Sequence, residues 1–286
     1  MPIIETKNLT YIYGQGTPVE KTALRDVNVC VEPGEFVGVI GPTGSGKSTL
    51  VQHLNGLLRP TVGKVFIDGE DIWEKPKEIR RFRFKVGLVF QYPEHQLFEE
   101  TVRRDIAFGP RNMGLEEAEV EARVLEAAEL VELRPSLLDK SPFELSGGQK
   151  RRAAIAGVIA MKPQVLILDE PTAGLDPRGR DRILNLVKNY HEHEHNTVLL
   201  VSHSMEDIAR YAARVLVLRS SGVYMYDETP KIFSRADEIE GIGLAVPQIT
   251  QICMELSRRG YPIRPDTYTV EDAKRQMIDI ICRGDL

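Results

Sequence analysis

Residues 41–48 combine glycine, lysine and serine at the spacing that holds phosphate groups in proteins. Their sequence, Gly-Pro-Thr-Gly-Ser-Gly-Lys-Ser, fits the pattern GxxxxGK[ST] of a Walker A loop. The glycines let successive backbone N–H groups turn inward around a phosphate, which also faces the positive end of the helix predicted for residues 49–57. We expect Lys47 to reach the β- and γ-phosphates and the Ser48 hydroxyl to bind Mg²⁺. The predicted strand and helix around the loop disfavour the alternative, a flexible glycine turn.

Two carboxylates follow a second apolar run. Residues 165–168 are Val-Leu-Ile-Leu, and Asp169 and Glu170 come directly after them, at the strand end where ligands of open α/β sheets bind. We expect Asp169 to hold Mg²⁺ through water and Glu170 to polarise an attacking water as a general base. The alternative is an acidic pair that caps a helix before Pro171, and the Walker A loop upstream argues against it.

A third segment, Leu-Ser-Gly-Gly-Gln at residues 145–149, precedes a predicted helix. Ser146 and the amides of Gly147 and Gly148 at that helix N-terminus form a second phosphate cradle. A single chain cannot close both cradles on one nucleotide.

These segments together strongly resemble the nucleotide-binding subunits of ABC transporters, whose signature is LSGGQ. The match spans about residues 3–226. The resemblance implies a P-loop NTPase fold of the ABC ATPase type, with an antiparallel β subdomain and a helical subdomain at about residues 92–162. It also implies ATP hydrolysis with Mg²⁺ and a head-to-tail dimer, in which the Walker A loop of one subunit and the signature of the other enclose each ATP.

The resemblance assigns further residues. Tyr13 resembles the aromatic that stacks on adenine, with Tyr11 as the competing choice, and residues 173–176 resemble the D-loop at the dimer interface. Gln91 resembles the glutamine that touches Mg²⁺ and the water, and His203 resembles the histidine that contacts the γ-phosphate. The predicted catalytic residues are Glu170, His203 and Gln91, the predicted Mg²⁺ ligands are Ser48, Gln91 and Asp169, and the predicted nucleotide contacts are Tyr13, Gly41, Pro42, Thr43, Gly44, Ser45, Gly46, Lys47, Ser48, Thr49, Ser146, Gly147, Gly148 and Gln149.

The elements that must position these residues alternate between strands and helices from Ile3 to about Tyr226, within a predicted ATP-binding domain of residues 1–240. Near-continuous apolar runs predict strands buried on both faces of a parallel sheet, and the opening stretch, with a turn at Asp68 and Gly69, predicts smaller antiparallel strands. The predicted buried strands cover residues 36–40, 86–90, 165–168, 198–201 and 215–218. Apolar residues at helical spacing predict a surface helix over residues 116–130.

Residues 241–286 form a separate helical C-terminal extension in this interpretation. Val246, Ile249, Ile252, Cys253 and Leu256 make one apolar stripe, and a second stripe follows Thr269, which together with Asp272 resembles a capping box. Exposed apolar stripes on two short helices need a partner, so we predict a dimerisation module. Packing onto the chain's own core is the alternative.

Two segments narrow the resemblance to the ATPases of energy-coupling factor (ECF) importers, which take up vitamins or transition-metal ions. The segment after Gln91, residues 92–110, resembles their Q-helix, which lines a groove for coupling helices of a membrane scaffold (T-type) subunit; a substrate-capturing (S-type) subunit completes the complex. Glu94, Glu99 and Glu100 are candidates to meet arginines of the scaffold, or are a solvated acidic surface. The C-terminal extension resembles that of the same group.

Several alternatives stay open at the sequence level. Residues 14–18 resemble an insertion of the second ATPase in heterodimeric modules, yet both half-sites are present and allow a homodimer. The cargo is undetermined. An ATPase of a binding-protein-dependent importer shares every catalytic motif, and non-transport ABC ATPases form a further alternative.

Composition bears on location and partners. The 286 residues carry a net charge of −5, so no global positive field favours nucleic acid.

A basic run at residues 80–85 alternates with Phe82 and Phe84, which predicts a strand edge. The histidines of residues 191–195 are expected in a solvated loop, with metal binding as the alternative.

The start lacks an export signal and the longest apolar stretch, residues 153–161, is too short to span a bilayer. We therefore expect peripheral attachment to the cytoplasmic side of the cell membrane.

Overall fold

The computed structural model describes residues 1–283, within which ten strands and eleven α-helices are present. The strands are β1 (Ile4–Tyr13), β2 (Lys21–Val31), β3 (Phe36–Ile40), β4 (Val62–Ile67), β5 (Glu70–Asp71), β6 (Val86–Val89), β7 (Val165–Asp169), β8 (Thr197–Val201), β9 (Arg214–Arg219) and β10 (Gly222–Glu228). The helices are α1 (Lys47–Leu54), α2 (Ile79–Lys85), α3 (Val102–Asn112), α4 (Glu117–Leu130), α5 (Gly147–Ile159), α6 (Pro177–Glu194), α7 (Met205–Tyr211), α8 (Thr229–Phe233), α9 (Ala236–Gly241), α10 (Gln248–Arg258) and α11 (Val270–Arg283).

The central sheet has six strands in the order β10-β9-β3-β8-β7-β6. Strands β3, β6, β7, β8 and β9 pair in parallel, and β10 adds an antiparallel edge to β9. Every residue of β3, β6, β7 and β8 is buried, which is why these segments are almost continuously apolar in sequence. The predicted parallel sheet is confirmed.

A second, antiparallel sheet has the order β2-β1-β4-β5 and packs beside the first. Its β4–β5 hairpin turns at Asp68 and Gly69, whose φ angles of 54° and 75° suit a tight hairpin of this type. Together the two sheets confirm the predicted ABC ATPase architecture. The β1–β2 hairpin pairs Tyr13 with Lys21 next to its connecting loop.

Helices α3, α4 and α5 occupy the chain between β6 and β7. The predicted surface helix corresponds to α4, which buries Val120, Val124 and Ala127 and leaves Leu125 47% exposed. Helix α5 buries Ala153 and Ile155 in the same hydrophobic core.

The separate hydrophobic cluster of the C-terminal extension begins after Val246 and not at residue 241. Leu244 and Val246 still lie in the main hydrophobic core, whereas α10 and α11 bury Cys253 and Ala273 in a small cluster of their own. The Thr269 hydroxyl accepts a hydrogen bond from the Asp272 N–H at 3.3 Å, as half of a capping box. The two stripes therefore partly cover each other, and residues 284–286 of the predicted extension lie outside the described residues.

Two local predictions are wrong. Residues 80–85 belong to α2 and not to a strand edge, because Ile79 and Phe82, three residues apart, pack into the core on one helical face. The predicted histidine loop is the last turn of α6, whose C-cap is His195 at a φ of 52°. Within residues 1–283 no cluster of three or more His, Cys, Asp or Glu side chains is placed to hold a metal ion.

Over the same described part of the chain, no helix combines the length and the apolarity that crossing a membrane requires.

Candidate functional site

The Walker A loop joins β3 to α1 at the carboxyl edge of the central sheet. Its glycines are required by close backbone approaches. A Cβ at Gly41 would lie 2.3 Å from the Leu218 carbonyl oxygen, and a Cβ at Gly46, where φ is 105°, would lie 2.4 Å from that of Ala23. Since real Cβ atoms do not approach oxygen so closely, the loop keeps this cradle only with glycine at both positions.

Lys47 is buried beneath the loop. Its Nζ donates hydrogen bonds to the carbonyl oxygens of Gly41, at 2.7 Å, and Pro42, at 3.1 Å. Burial lowers the pKa of Lys47, and the nearby carboxylates of Glu170 and Asp169 oppose that shift. The ammonium group thus lies inside the phosphate cradle with two neutral acceptors as its hydrogen-bond partners.

Asp169, the last residue of β7, supplies a carboxylate suited to a metal ion. It is 6% exposed, and its Oδ1 accepts no hydrogen bond. Burial raises the pKa of this carboxyl, while the Ser48 hydroxyl and the Lys47 ammonium act in the opposite direction. A buried carboxylate oxygen without a partner, next to a serine hydroxyl, fits the oxygen ligands that Mg²⁺ prefers.

Gln91, Glu170 and His203 meet in one cluster. They directly follow or lie shortly after β6, β7 and β8, which are neighbours in the sheet, so the parallel arrangement brings their side chains to one edge. The Glu170 Oε1 lies 2.7 Å from His203 Nε2, and its Oε2 accepts a hydrogen bond of 3.1 Å from Gln91 Nε2. Glu170 itself has a φ of 51°, and its N–H donates to the Val201 carbonyl at 3.0 Å. The carboxylate of the predicted general base is therefore oriented from both sides.

A pocket of about 220 Å³ lies between this cluster and the Walker A loop. Tyr13 lines it, and its hydroxyl lies 3.3 Å from the Thr49 hydroxyl. Tyr11 instead packs against the hydrophobic core and places its ring edge-on to His53, with centroids 4.6 Å apart. This placement favours Tyr13 over Tyr11. The lining residues are Tyr13, Lys21, Ala23, Thr43, Gly44, Gly46, Lys47, Ser48, Thr49, Glu170 and His203.

Lys21 and Ala23 are lining residues that the sequence analysis missed. Both belong to β2, and no motif marks them. The signal that would have found them is strand register, because the hairpin pairs Tyr13 with Lys21.

The signature segment lies at the N-terminus of α5. The Ser146 hydroxyl accepts from the Gln149 N–H at 3.4 Å, and the Gln149 side chain accepts from the Ser146 N–H at 2.9 Å, which completes a capping box. Ser146, Gly147 and Gly148 are exposed, and none of the four signature residues lines the Walker A pocket. One chain therefore presents two separate cradles.

Of the acids predicted to meet a membrane scaffold, Glu94 fits neither predicted alternative. Glu94 is 16% exposed at its side chain and forms a two-point ion pair with Arg151, at 2.6 and 2.9 Å, so it is neither solvated nor free for an external arginine. Glu100 pairs with Arg104 on the surface. In the same region Asp105 is a buried carboxylate, 8% exposed: its Oδ1 accepts from the N–H groups of Phe98 and Glu99, and its Oδ2 has no partner.

The fold and the site together define an ATP-binding cassette of the P-loop class. The ABC transporter family matches residues 24–173. A protein of Caldanaerobacter subterraneus subsp. tengcongensis, named energy-coupling factor transporter ATP-binding protein EcfA2, is 54% identical over 278 residues, which cover 97% of each chain. A protein of the same name from Symbiobacterium thermophilum is 55% identical over 273 residues, covering 96% of this chain and 94% of that protein. The chain therefore belongs to the ABC transporter family, in its branch of energy-coupling factor ATP-binding proteins.

Solved structures of similar proteins support the same family assignment. The structure of cbiO1 from Clostridium perfringens, described as part of the ABC transporter complex cbiONQ, has a TM-score of 0.75 and 36% identity, covering 91% of this chain and 97% of that one. The dimeric ATP-binding cassette MJ0796, bound to ADP and Pi in a post-hydrolysis state, has a TM-score of 0.71 and 32% identity, covering 79% and 98%.

Proposed function

We propose that this chain is the ATP-hydrolysing motor subunit of an ECF-type importer, which takes up a vitamin or a transition-metal ion through membrane partner subunits. The observation that carries the proposal is the cluster of Gln91, Glu170 and His203 beside the Walker A loop. The names of relatives that match nearly the full chain support the transport role.

In the proposed reaction, a water oxygen attacks the γ-phosphorus, the bond to the ADP oxygen breaks, and the water proton passes to Glu170. Gln91 and His203 hold the Glu170 carboxylate in one orientation, so that little reorganisation precedes proton transfer. Ser48, Asp169 and Gln91 would hold Mg²⁺, which when bound neutralises phosphate charge. Lys47 exchanges its loop carbonyls for phosphate oxygens.

A head-to-tail dimer completes each site. The signature residues from Ser146 to Gln149 lie outside the pocket, so a second chain would supply its own signature to the nucleotide. The dimeric state of the similar cassette MJ0796 supports this arrangement. The second chain is either another copy or a homologous ATPase. Exposed Ile252, Ile278 and Ile281 on the C-terminal helices are proposed to add contacts.

The membrane scaffold is proposed to dock in a groove of about 270 Å³ between α3, α5 and the segment after Gln91. Phe98 and Phe108, which are 61% and 46% exposed, meet edge to face in this groove with centroids 4.9 Å apart. Beside them the buried Asp105 has its unpaired Oδ2, an acceptor suited to an arginine of the entering helix. This docking would hold the chain at the cytoplasmic side of the cell membrane.

The test is affinity purification from detergent-solubilised native membranes, with mass spectrometry of the associated proteins. We expect a membrane scaffold, a small substrate-capturing membrane protein and, for a heterodimer, a second ATPase. Phe98→Asp should lose the two membrane proteins, but not a second ATPase, because it places a charge in the apolar groove. The control is Leu125→Asp, which alters a half-exposed apolar residue on α4 outside the groove and should keep them.

Other outcomes separate the alternatives. Permeases recovered with an extracellular binding protein would favour a binding-protein-dependent importer. Ribosomes or DNA-repair factors without membrane subunits would contradict transport altogether.

A further inference from the structure

A buried guanidinium links three segments that are far apart in the sequence. Arg151 belongs to α5, five residues after the signature serine, and is 3% exposed. On one side its Nε and Nη2 bind the Glu94 carboxylate. On the other side its Nη1 donates to the carbonyl oxygens of Pro171, at 3.1 Å, and Ala173, at 2.8 Å. All three guanidinium nitrogens are therefore engaged in fixed directions.

The segments that Arg151 joins are functional ones. Glu94 lies three residues after Gln91, in the short 3₁₀ helix Pro93–Gln96 beside the proposed docking groove. Pro171 and Ala173 follow Glu170, and the Ala173 N–H donates to the Glu170 carbonyl at 3.1 Å, which closes a turn. Arg151 therefore hydrogen-bonds two carbonyl oxygens of the turn that begins with the predicted general base, Glu170.

Two hydrogen bonds from Arg151 stabilise the charged form of Glu94. Burial would raise the pKa of Glu94, but the hydrogen bonds from Arg151 and the attraction of its charge outweigh burial and hold that pKa below its ordinary value. Separating the two charges would leave each without compensation, which favours keeping Glu94 and Arg151 together when either segment moves.

We propose that Arg151 is a positioning residue for ATP hydrolysis, which fixes the turn at Glu170 and couples its position to the segment that the membrane partner contacts. This inference rests on the proposed function. A movement of residues 93–96 on docking pulls on Glu94, and Arg151 passes the movement to the carbonyls at 171 and 173. Gln91 gives a second, direct connection to the Glu170 carboxylate.

The kinetic test compares Arg151→Lys, Arg151→Gln and Glu94→Gln with the full-length wild type. Lysine keeps the charge but has one nitrogen in place of three, so it cannot bridge all acceptors. We expect kcat to fall on the order of tenfold in the Arg151 variants, with the KM for ATP changed less than about twofold, because misplacement of a catalytic group lowers turnover more than binding. Adding Glu94→Gln to Arg151→Gln should cost little more, since both act through one connection.

The control is Arg152→Gln, which alters the neighbouring arginine that hydrogen-bonds the Glu132 carbonyl instead. Its kcat should stay within about twofold of wild type. A purely structural Arg151 would predict lower melting temperatures with unchanged kcat per folded chain, and that result would overturn the inference.

Hydrogen–deuterium exchange tests the connection without relying on turnover. In the ligand-free chain, Glu94→Gln should speed amide exchange in residues 172–176, although these lie far away in sequence, whereas Arg152→Gln should not. Unchanged exchange in Glu94→Gln would overturn the inference. A wild type without ATPase activity but with this exchange response would instead contradict the proposed function alone.

Discussion

At the scale of single residues, the site contains buried charged groups and an unfavourable backbone conformation, which lower the free energy of unfolding. Asp169 is buried with an unpaired oxygen, Lys47 is buried beneath the loop, and Glu170 has a left-handed backbone that non-glycine residues adopt rarely. Such features persist in folded proteins mainly where function requires them. Each one gives a specific expectation for a substitution.

Glu170→Gln should leave ATP binding intact while lowering turnover by on the order of 10² or more, because the amide cannot accept the water proton. ATP affinity and phosphate release in the same preparation provide the two measurements. Glu192→Gln, on the exposed face of α6, serves as the control and should hydrolyse ATP at the wild-type rate. Turnover of Glu170→Gln near that of wild type would remove this residue from its role.

Asp169→Asn should stabilise the ligand-free chain and abolish Mg²⁺-dependent turnover. Because burial raises the pKa of Asp169, the folded chain holds its proton to a higher pH than the unfolded chain does. The free energy of unfolding therefore falls as pH rises from the ordinary carboxyl pKa through the raised one. At neutral pH we expect the variant to melt about 2 °C higher, with a smaller difference toward pH 4.

Thermal melts at several pH values check this expectation, with the surface substitution Asp181→Asn as the control. If Asp169→Asn melts below wild type at neutral pH, burial does not govern this carboxylate.

At the scale of elements, contiguous motifs were predictable and tertiary pairings were not. The Walker A loop and the two acids after β7 have all their information within a few residues, and the parallel strand order then gathers Gln91, Glu170 and His203. The pair of Glu94 and Arg151 spans 57 residues and depends on how α5 packs, so the sequence offered Glu94 only as a partner for a scaffold arginine or as a solvated acid. The prediction for residues 80–85 was wrong because basic and aromatic residues alternate there with the period of a strand. The packing of Ile79 and Phe82 into the core favours a helix instead.

The C-terminal helices also show this division. Their apolar stripes were visible in sequence, but the partition of each stripe between mutual packing and exposure required the fold. Cys253 and Ala273 are buried between the helices, whereas Ile252 and Ile278 are about half exposed.

The double variant Ile252→Glu/Ile278→Glu should weaken dimerisation without unfolding the chain, because both side chains lie outside the small core. Light scattering over a concentration series gives the dimer mass, and circular dichroism reports the fold. Asp279→Lys alters an exposed residue of α11 that lies about 100° around the helix from Ile278, and it should leave the mass unchanged. An unchanged dimer mass in the double variant would show that the helices serve only their own packing.

At the scale of the whole molecule, the two phosphate cradles lie at separate places in one chain, and neither lines the pocket of the other. Walker A lies between β3 and α1, and the signature opens α5, with the docking groove along the same helix. In the dimer that we propose, each chain completes its chemistry through its partner, so closure of the nucleotide site and movement at the groove would be parts of one rearrangement.

Mixing two inactive variants tests this arrangement. In a head-to-tail pair of a Lys47→Ala chain and a Ser146→Arg chain, one site carries both defects and the other carries neither. We therefore expect ATPase activity to reappear on mixing, up to about a quarter of the wild-type value if chains pair at random and sites act independently. Each variant alone is the control, and a mixture as inactive as its components would contradict sites shared between chains.

The contacts of Lys47 with the carbonyl oxygens of Gly41 and Pro42 also bear on which anions enter the loop. The ammonium group already has acceptors, so an incoming anion gains only the difference between its own hydrogen bonds and those it displaces. Free orthophosphate or sulfate, held by the loop alone, gains little. A nucleoside triphosphate adds contacts along its whole length, and the resting lysine thereby discriminates against the abundant small anions of the cell.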